Sequence, residues 1–179
     1  MKSLLVSALI TTALIVPPSR AQLKLDMDGL AAKARESVDV TLDSSMLQIA
    51  GKFLSLEKRE EARAKDLVSK LKGIQVRVFE FDKEGLYSPS DLQPIRDQLK
   101  APGWSKVVSV VSKGEGAEIY VKTEGGKSAG LAILAFEPKE LAIINIIGSI
   151  DLDELGALTG RFGIPSLGIV EATKKKQEE

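Results

Sequence analysis

Acidic and aromatic side chains that could do chemistry cluster around one predicted strand end, within residues 80–104. Glu80, Asp82 and Glu84 alternate along the chain there, so their carboxylates can project to the same side. Such a carboxylate pair could serve general acid–base catalysis, although a row of solvated acids at a strand end is the simpler interpretation. Tyr87 and Trp104 flank the next predicted helix, where they could grip a ligand together or simply pack over the helix ends.

The residue types that are missing narrow the chemistry much further. The 179 residues include no His and no Cys. Ser–His and Cys–His nucleophiles, disulfides and thiolate-ligated metal sites are therefore excluded. A metal would need oxygen ligands, but Asp151, Asp153 and Glu154 lack the spacing of a calcium loop and are better explained as helix-capping charges. We predict a protein that is not an enzyme and that binds no metal and no cofactor.

Phosphate and nucleic-acid ligands are also disfavoured by the sequence. Gly125-Gly126-Lys127-Ser128 resembles the end of a phosphate-binding loop, but Val121 stands where that motif needs its first glycine. A strand rather than a helix is also predicted to follow, so a hairpin turn is the better interpretation. The 25 basic and 25 acidic residues balance to a formal charge of zero, without the basic excess typical of nucleic-acid binders. We predict no nucleic-acid partner.

The first 21 residues have the pattern of a secretory signal peptide. Lys2 precedes an apolar run over Leu4–Val16, and Ser19 and Ala21 supply the small residues of a cleavage site before Gln22. The run is too short to span a bilayer, which takes roughly 20 apolar residues. We expect export to the periplasm or the medium, with no stable membrane anchor after cleavage. A retained anchor is the alternative.

Residues 22–165 are expected to form a single domain that begins with mixed helices and strands. A short helix after Asp26, a strand over residues 38–42 and a helix capped by Asp43 or Ser44 come first. That helix should bury an apolar stripe formed by Met46, Leu47, Ala50, Phe53 and Leu54. A further helix over residues 57–72 should end at Gly73.

The segment after Gly73 is predicted to form a strand over residues 74–82 and then a helix. Val76 and Val78 point to one side of that strand and Phe79 and Phe81 to the other, so either both faces are covered or a bulge lies near Val78. Ser88-Pro89 should open the helix, which Pro94 should kink or delay. A last helix is predicted from Asp151, and residues 166–179 should form a charged, disordered tail.

Residues 104–150 are predicted to form an antiparallel meander of four strands separated by Gly- and Pro-containing turns. Its last two strands are apolar at nearly every position, which indicates that both of their faces are covered. Helices or the C-terminal segment could cover them, or one face could meet a partner, a second copy or a lipid-like ligand. The candidate residues for such a face are Ala132, Leu134, Ile144 and Ile146.

The predicted fold class is therefore α+β. The order of elements favours a two-layer sandwich, in which a mostly antiparallel sheet of five to six strands carries helices packed on one face. The order of the strands and the identity of any open face do not follow from the pattern.

Four stretches of the chain, taken in order, resemble a known family. They are VDVTLD at 38–43, GIQVRVFEFD at 73–82, APGW at 101–104 and EPKEL at 137–141. Together they resemble the uncharacterised exported bacterial family called domain of unknown function 4252, over about residues 25–165. The resemblance implies an exported protein, often a lipoprotein, whose gene in some cases adjoins extracytoplasmic sigma-factor genes and so hints at envelope signalling. It implies no catalytic residues. Because no Cys is available for lipid attachment, a soluble periplasmic form is expected here.

These observations lead us to expect a non-enzymatic binding module that recognises a protein partner outside the cytoplasm, or that pairs as a homodimer. A carrier that holds a hydrophobic small molecule between sheet and helices is the alternative. A third hypothesis is a hydrolase or lyase that acts through Glu80, Asp82 or Tyr87.

Overall fold

The computed structural model describes residues 21–53 and 59–150. The predicted leader up to Arg20, the helix predicted from Asp151 and the predicted tail over residues 166–179 lie outside this part of the chain. The elements follow in this order: α1 (Asp28–Ala31), β1 (Glu36–Asp43), α2 (Ser44–Lys52), α3 (Arg59–Lys70), β2 (Leu71–Glu80), a 3₁₀ helix (Pro89–Leu92), α4 (Gln93–Gln98), β3 (Trp104–Ser112), β4 (Glu115–Glu124), β5 (Lys127–Glu137) and β6 (Glu140–Gly148).

The six strands form one antiparallel sheet in the order β1-β2-β6-β5-β4-β3. The predicted meander is confirmed as β3 to β6, and Gly125-Gly126 forms the predicted hairpin turn. The long-range pairing of β2 with β6 joins the first half of the chain to the meander. This pairing places Gly148 so close to the end of α3 that an added methyl group would lie 2.6 Å from the carbonyl oxygen of Lys70. Glycine is therefore required there, and its φ of +133° suits glycine as well.

The two faces of the sheet carry separate apolar cores. The α4 face, as we call it, packs against α4 and the N-terminal residues, and its central side chains are Phe79, Ala132, Leu134, Phe136, Leu141 and Ile143. The α2–α3 face packs against α2 and α3, and its central side chains are Val76, Ile119, Leu131, Ile133, Ile144 and Ile146. The α+β class with a mostly antiparallel sheet is confirmed. The predicted two-layer arrangement with helices on one face is corrected, because helices cover both faces.

Strand β2 shows why its hydrophobic pattern lacks a single period. Phe79 belongs to the α4 face while Val76 belongs to the α2–α3 face, so both faces are covered. The register of β2 against β6 is continuous at Val78 and shifts between Leu71 and Gly73 instead. Gly73 does not end a helix, as predicted from the sequence, because α3 ends at Lys70 and runs directly into β2.

Helix α2 begins as predicted but buries a different side. The carboxylate of Asp43 caps it by accepting hydrogen bonds from the backbone N–H groups of Ser45 and Met46, both at 2.9 Å. Leu47 and Gly51 are its buried residues, whereas Met46 and Phe53 are exposed. Of the predicted apolar stripe, Leu47 is buried as predicted, and Leu54 lies outside the described residues. The prediction is wrong for Met46, Ala50 and Phe53, which are exposed because α3 packs against the neighbouring side of the helix. Helix α3 in turn buries Ala64, Leu67 and Val68.

Pro94 divides the helix predicted after Ser88-Pro89 into two short pieces. A 3₁₀ turn precedes α4, and Pro94 occupies the first turn of α4, where its missing N–H costs nothing. Leu92, Ile95 and Leu99, from these two pieces and the residue that follows, all lie in the core of the α4 face.

Candidate functional site

The four residues predicted to form an open apolar face are all buried inside the protein. Ala132 and Leu134 point into the α4 face, and Ile144 and Ile146 point into the α2–α3 face. They therefore lie on opposite sides of the sheet and form no common surface. This prediction is wrong, because helices cover the central strands on both sides and these side chains fill the two cores.

The carboxylates of Glu80 and Asp82 lie near each other, as the alternation predicts, but one cation holds both. The guanidinium of Arg35 pairs with Glu80 and also lies 3.6 Å from Asp82, measured from Nε to Oδ1. The backbone N–H of Arg35 also donates to the carbonyl oxygen of Glu80 at 2.7 Å. The arrangement fastens the chain before β1 to the end of β2. No group of three or more acidic side chains suited to a metal is found among the described residues.

Glu140 is the carboxyl whose environment comes nearest to that of a general acid. It lies opposite Glu80 on one side and Glu137 on the other. Burial raises the pKa of Glu140, and the negative charges of Glu137 and Glu80 raise it further. The Tyr87 hydroxyl contacts Glu140 at its backbone carbonyl oxygen and not at its carboxyl group.

Tyr87 is used to hold a turn. Its ring stacks on that of Phe81 with the centroids 4.9 Å apart. Its hydroxyl donates toward the carbonyl oxygens of Glu137 and, at 2.9 Å, of Glu140, which flank the turn between β5 and β6. Burial raises the pKa of Tyr87 to about 12, so the phenol keeps its proton at neutral pH. This geometry favours a packing role over an acid–base role.

Trp104 and Tyr87 do not share a ligand site. Tyr87 lines a surface cavity of about 280 Å³ together with Phe136 and the turn residue Lys113, and Trp104 is not part of its lining. Trp104 is half-buried at the start of β3, where the ammonium of the buried Lys122 lies 5.9 Å from the centre of its ring. Both aromatic residues pack against the core of the α4 face, as the simpler interpretation predicts.

Sequence reasoning missed a polar cluster centred on Glu118, on the α4 face of β4. The carboxylate of Glu118 accepts hydrogen bonds from Tyr120 at 2.8 Å and Arg96 at 3.1 Å, and pairs with Lys106 at 3.2 Å. The signal was present, because Glu118, Tyr120 and Lys122 alternate with Ala117, Ile119 and Val121 in the middle of the strand. Alternating polar residues normally indicate a solvated face, however, and here the face is buried beneath α4.

The pKa values of Glu118, Lys106 and Tyr120 are all shifted away from neutral pH. Burial opposes the charge of Glu118, but the hydrogen bonds from Tyr120, Arg96 and Lys106 outweigh it and lower the pKa of the carboxyl. Burial likewise opposes the charge of Lys106, yet contact with Glu118 raises its pKa overall. Burial and Glu118 together raise the pKa of Tyr120. General acid–base catalysis works best when the pKa lies near the working pH, so this cluster is suited to locking β3, β4 and α4 together.

Apolar side chains are exposed on β1 and α2, at one end of the sheet. Met46 and Ile49 of α2 and its C-cap residue Phe53 recur at helical spacing, and Phe53 is 82 % exposed. Val38 and Val40 of β1 are also exposed and lie opposite Val78 and Val76, which places them on the α2–α3 face. We call these five residues the β1–α2 surface. Sequence reasoning had assigned Met46 and Phe53 to the core.

No helix in the described part of the chain is long and apolar enough to cross a bilayer.

Comparison with known proteins identifies the family of this chain. None of the curated proteins that were compared matches the chain. The family model described as "Domain of unknown function (DUF4252)" matches residues 32–158, which is more than half of the 179 residues. The resemblance predicted from the order of four stretches is thus confirmed, and the chain belongs to the DUF4252 family.

Proposed function

We propose that this protein is a non-enzymatic binding module that recognises a protein partner through the β1–α2 surface. The observation that carries the proposal is the exposure of Met46, Ile49 and Phe53 on one side of α2. An exposed Leu or Val is ordinary, but a contiguous set that includes a phenylalanine is typical of a protein interface. Covering apolar surface contributes about 25 cal/mol per Å², and aromatic side chains often dominate the binding energy.

The structural use of the polar clusters supports the non-enzymatic part of this proposal. Glu80 and Asp82 are paired with Arg35, and Glu118 is held by two cations and a phenol. Each of these clusters joins separate elements of the fold, so each has a structural use. The sequence also contains no His or Cys. A binding role needs none of these groups to change protonation state.

Site-specific photo-crosslinking in the native cell tests the β1–α2 surface. A photoreactive amino acid at Ile49 should give a discrete crosslinked product, and the second substitution Phe53→Ser should abolish that product. The matched control places the same amino acid at Val111, which is exposed on β3 at the opposite edge of the sheet. A product of twice the chain mass would identify the partner as a second copy. Equal products from both positions, or none from Ile49, would refute the proposal.

We also propose that the protein is exported to the periplasm or the medium. The support is the residue pattern of the first 21 residues, with a basic start, an apolar run and small residues at Ser19 and Ala21. N-terminal sequencing of the protein recovered from separated cell fractions tests this. A processed N-terminus in an extracytoplasmic fraction is expected, whereas an intact Met1 in the cytoplasmic fraction would exclude export.

A further inference from the structure

The sheet has two open edges within the described residues, and they differ in regularity. The sheet ends in β1 on one side and in β3 on the other. Strand β3 contains a bulge, because its register against β4 shifts between Lys106 and Val108. Strand β1 pairs with β2 from Glu36 to Asp43 without any shift. Because a bulge hinders the addition of a further strand, β1 is the edge better suited to accept one.

The hydrogen bonds of β2 show which of its backbone groups face β1. Just beyond the paired ends of β2 and β6, the N–H of Phe81 donates to the carbonyl oxygen of Lys139 at 2.8 Å. In an antiparallel strand, the backbone groups of successive residues point alternately to the two neighbouring strands. Phe79 therefore turns its N–H and C=O groups toward β6, and Val78 turns its groups toward β1.

The same alternation assigns the backbone groups of β1. Val38 lies directly opposite Val78, so Val38 turns its N–H and C=O groups toward β2. Ser37, Asp39 and Thr41 therefore turn their backbone groups to the open edge. In the part of the chain that the structure describes, no hydrogen bond is made to these outward groups. They form a row of donors and acceptors that an added strand could pair with.

The side chains on the two sides of this edge differ in chemistry. Val38 and Val40 lie on the α2–α3 face and belong to the β1–α2 surface. Helix α2 begins at Ser44, directly after β1, so its exposed apolar residues adjoin the same edge. On the other side, the carboxylate of Asp39 pairs with Arg77 but is 65 % exposed, so it stays accessible to a further cation. The matching segment is therefore extended and alternates apolar with basic side chains.

The charge of β1 favours a different protein over a second copy as the source of that segment. The charged residues of β1 are all acidic, namely Glu36, Asp39 and Asp43. Pairing β1 with its own copy would place two such strands about 4.8 Å apart, and like charges on neighbouring strands are destabilising. A basic segment of another protein is attracted to the same edge instead.

We propose that the protein partner binds by adding an extended segment to β1, as a further strand at this edge of the sheet. The inference rests on the proposed function and specifies how the β1–α2 surface recognises its partner. Hydrogen bonds to the backbone of Ser37, Asp39 and Thr41 hold the segment whatever its side chains are. Its apolar side chains cover Val38 and Val40, and its basic side chains face the carboxylate of Asp39.

Photo-crosslinking from both sides of β1 in the native cell distinguishes strand addition from binding to one face. Val40 and Thr41 are exposed neighbours whose side chains lie on opposite sides of the sheet. A photoreactive amino acid at either position should give a product of the same mass as one at Ile49, because an added strand passes both. A partner that lies on the β1–α2 surface alone would crosslink to Val40 and not to Thr41. The matched control is Val111 on β3, the other open edge, which should give no product.

Removal of one outward N–H group tests the backbone pairing directly. Thr41→Pro deletes a donor at the open edge and leaves the hydrogen bonds to β2 in place, and proline is tolerated at such edge positions. It should lower the yield of the Ile49 product at least about tenfold, whereas Thr41→Ser, which keeps the N–H, should not. Far-UV circular dichroism and a single cooperative melt establish that the variant is folded. If it is not folded, Ser37→Pro, which deletes another outward N–H, replaces it.

The outcomes separate this inference from the proposal on which it rests. Mass-spectrometric mapping of the Thr41 product should locate the attachment in a segment that alternates apolar and basic residues, and an acidic segment would overturn the inference. An Ile49 product that survives the proline substitution, or the absence of a Thr41 product, would overturn strand addition and leave the β1–α2 surface as an interface. No product from Ile49 would overturn both proposals. A product of twice the chain mass would overturn strand addition by another protein, since the occupant would then be a second copy.

Discussion

Glu118→Gln tests whether the buried polar cluster stabilises this fold. The Glu118 side chain is 8 % exposed and accepts hydrogen bonds from Tyr120 and Arg96 as well as pairing with Lys106. Glutamine has nearly the same shape, so the packing beneath α4 is retained. The substitution removes the negative charge between two cations and directs an amide donor at groups that are themselves donors.

The size of the expected stability loss follows from how exposed Lys106 and Arg96, the two cationic partners of Glu118, are to solvent. Lys106 is 40 % exposed, so its ion pair contributes at most about 1 kcal/mol. Arg96 is 19 % exposed, and a hydrogen bond to a charged group contributes about 1.5–3 kcal/mol. Part of the hydrogen bonding survives with glutamine. We therefore expect the free energy of unfolding to fall by about 2–3 kcal/mol, which lowers Tm by about 4–12 °C for a chain of this length.

Urea unfolding as a function of pH supplies the assay. Because the pKa of Glu118 is lowered in the folded state, its stabilising contribution is present above the unfolded pKa of about 4.3. The contribution is lost as the pH falls through the folded pKa. The difference in stability between the wild type and the Glu118→Gln variant should accordingly be largest near neutral pH and shrink in acid.

The matched control is Glu115→Gln, which changes an exposed carboxylate on the same strand. It should alter the free energy of unfolding by less than about 0.5 kcal/mol. If the Glu118→Gln variant matched this control at every pH, the stabilising role of the cluster would be refuted.

The remaining predictions concern a turn and two glycines. Tyr87→Phe should cost about 1 kcal/mol in urea unfolding, because the hydroxyl no longer binds the carbonyl of Glu140. In the wild type, absorbance titration should show Tyr87 ionising near pH 12, and ionisation near pH 10 would contradict its burial. Gly116→Ala should destabilise by about 1–3 kcal/mol, since its methyl group would lie 2.7 Å from the ring of Phe136. The control is Gly29→Ala, whose added methyl group would meet no atom within 4 Å and should not lower Tm. Equal destabilisation by the Gly116→Ala and Gly29→Ala substitutions would disprove the clash at Gly116.

Local sequence signals were sufficient for much of the sheet. The four strands of the meander follow from β-branched runs bounded by glycine and proline, which are properties of neighbouring residues. The cap at Asp43 and the division of a helix at Pro94 were predictable for the same reason. The absence of His and Cys was likewise sufficient to exclude whole classes of chemistry.

The orientation of α2 could not be predicted, because its apolar residues form one broad stripe. Met46 and Phe53 lie along one edge of that stripe, and Leu47 lies about 100° further round the helix. Periodicity shows that a helix is amphipathic, but a broad stripe leaves undetermined which part of it is buried. The packing of α3 against Leu47 and Gly51 selected the buried side and left the other exposed.

The sequence by itself thus determined the strands, their turns and the excluded chemistries, because these depend on residues close together in the chain. Only the tertiary structure decided which apolar residues are buried and which polar ones are inside. Ala132 and Ile144 became core because helices cover both faces of the sheet. Glu118 could be buried because Arg96, 22 residues earlier, compensates its charge. Such compensation depends on contacts between distant parts of the chain, which no local pattern records.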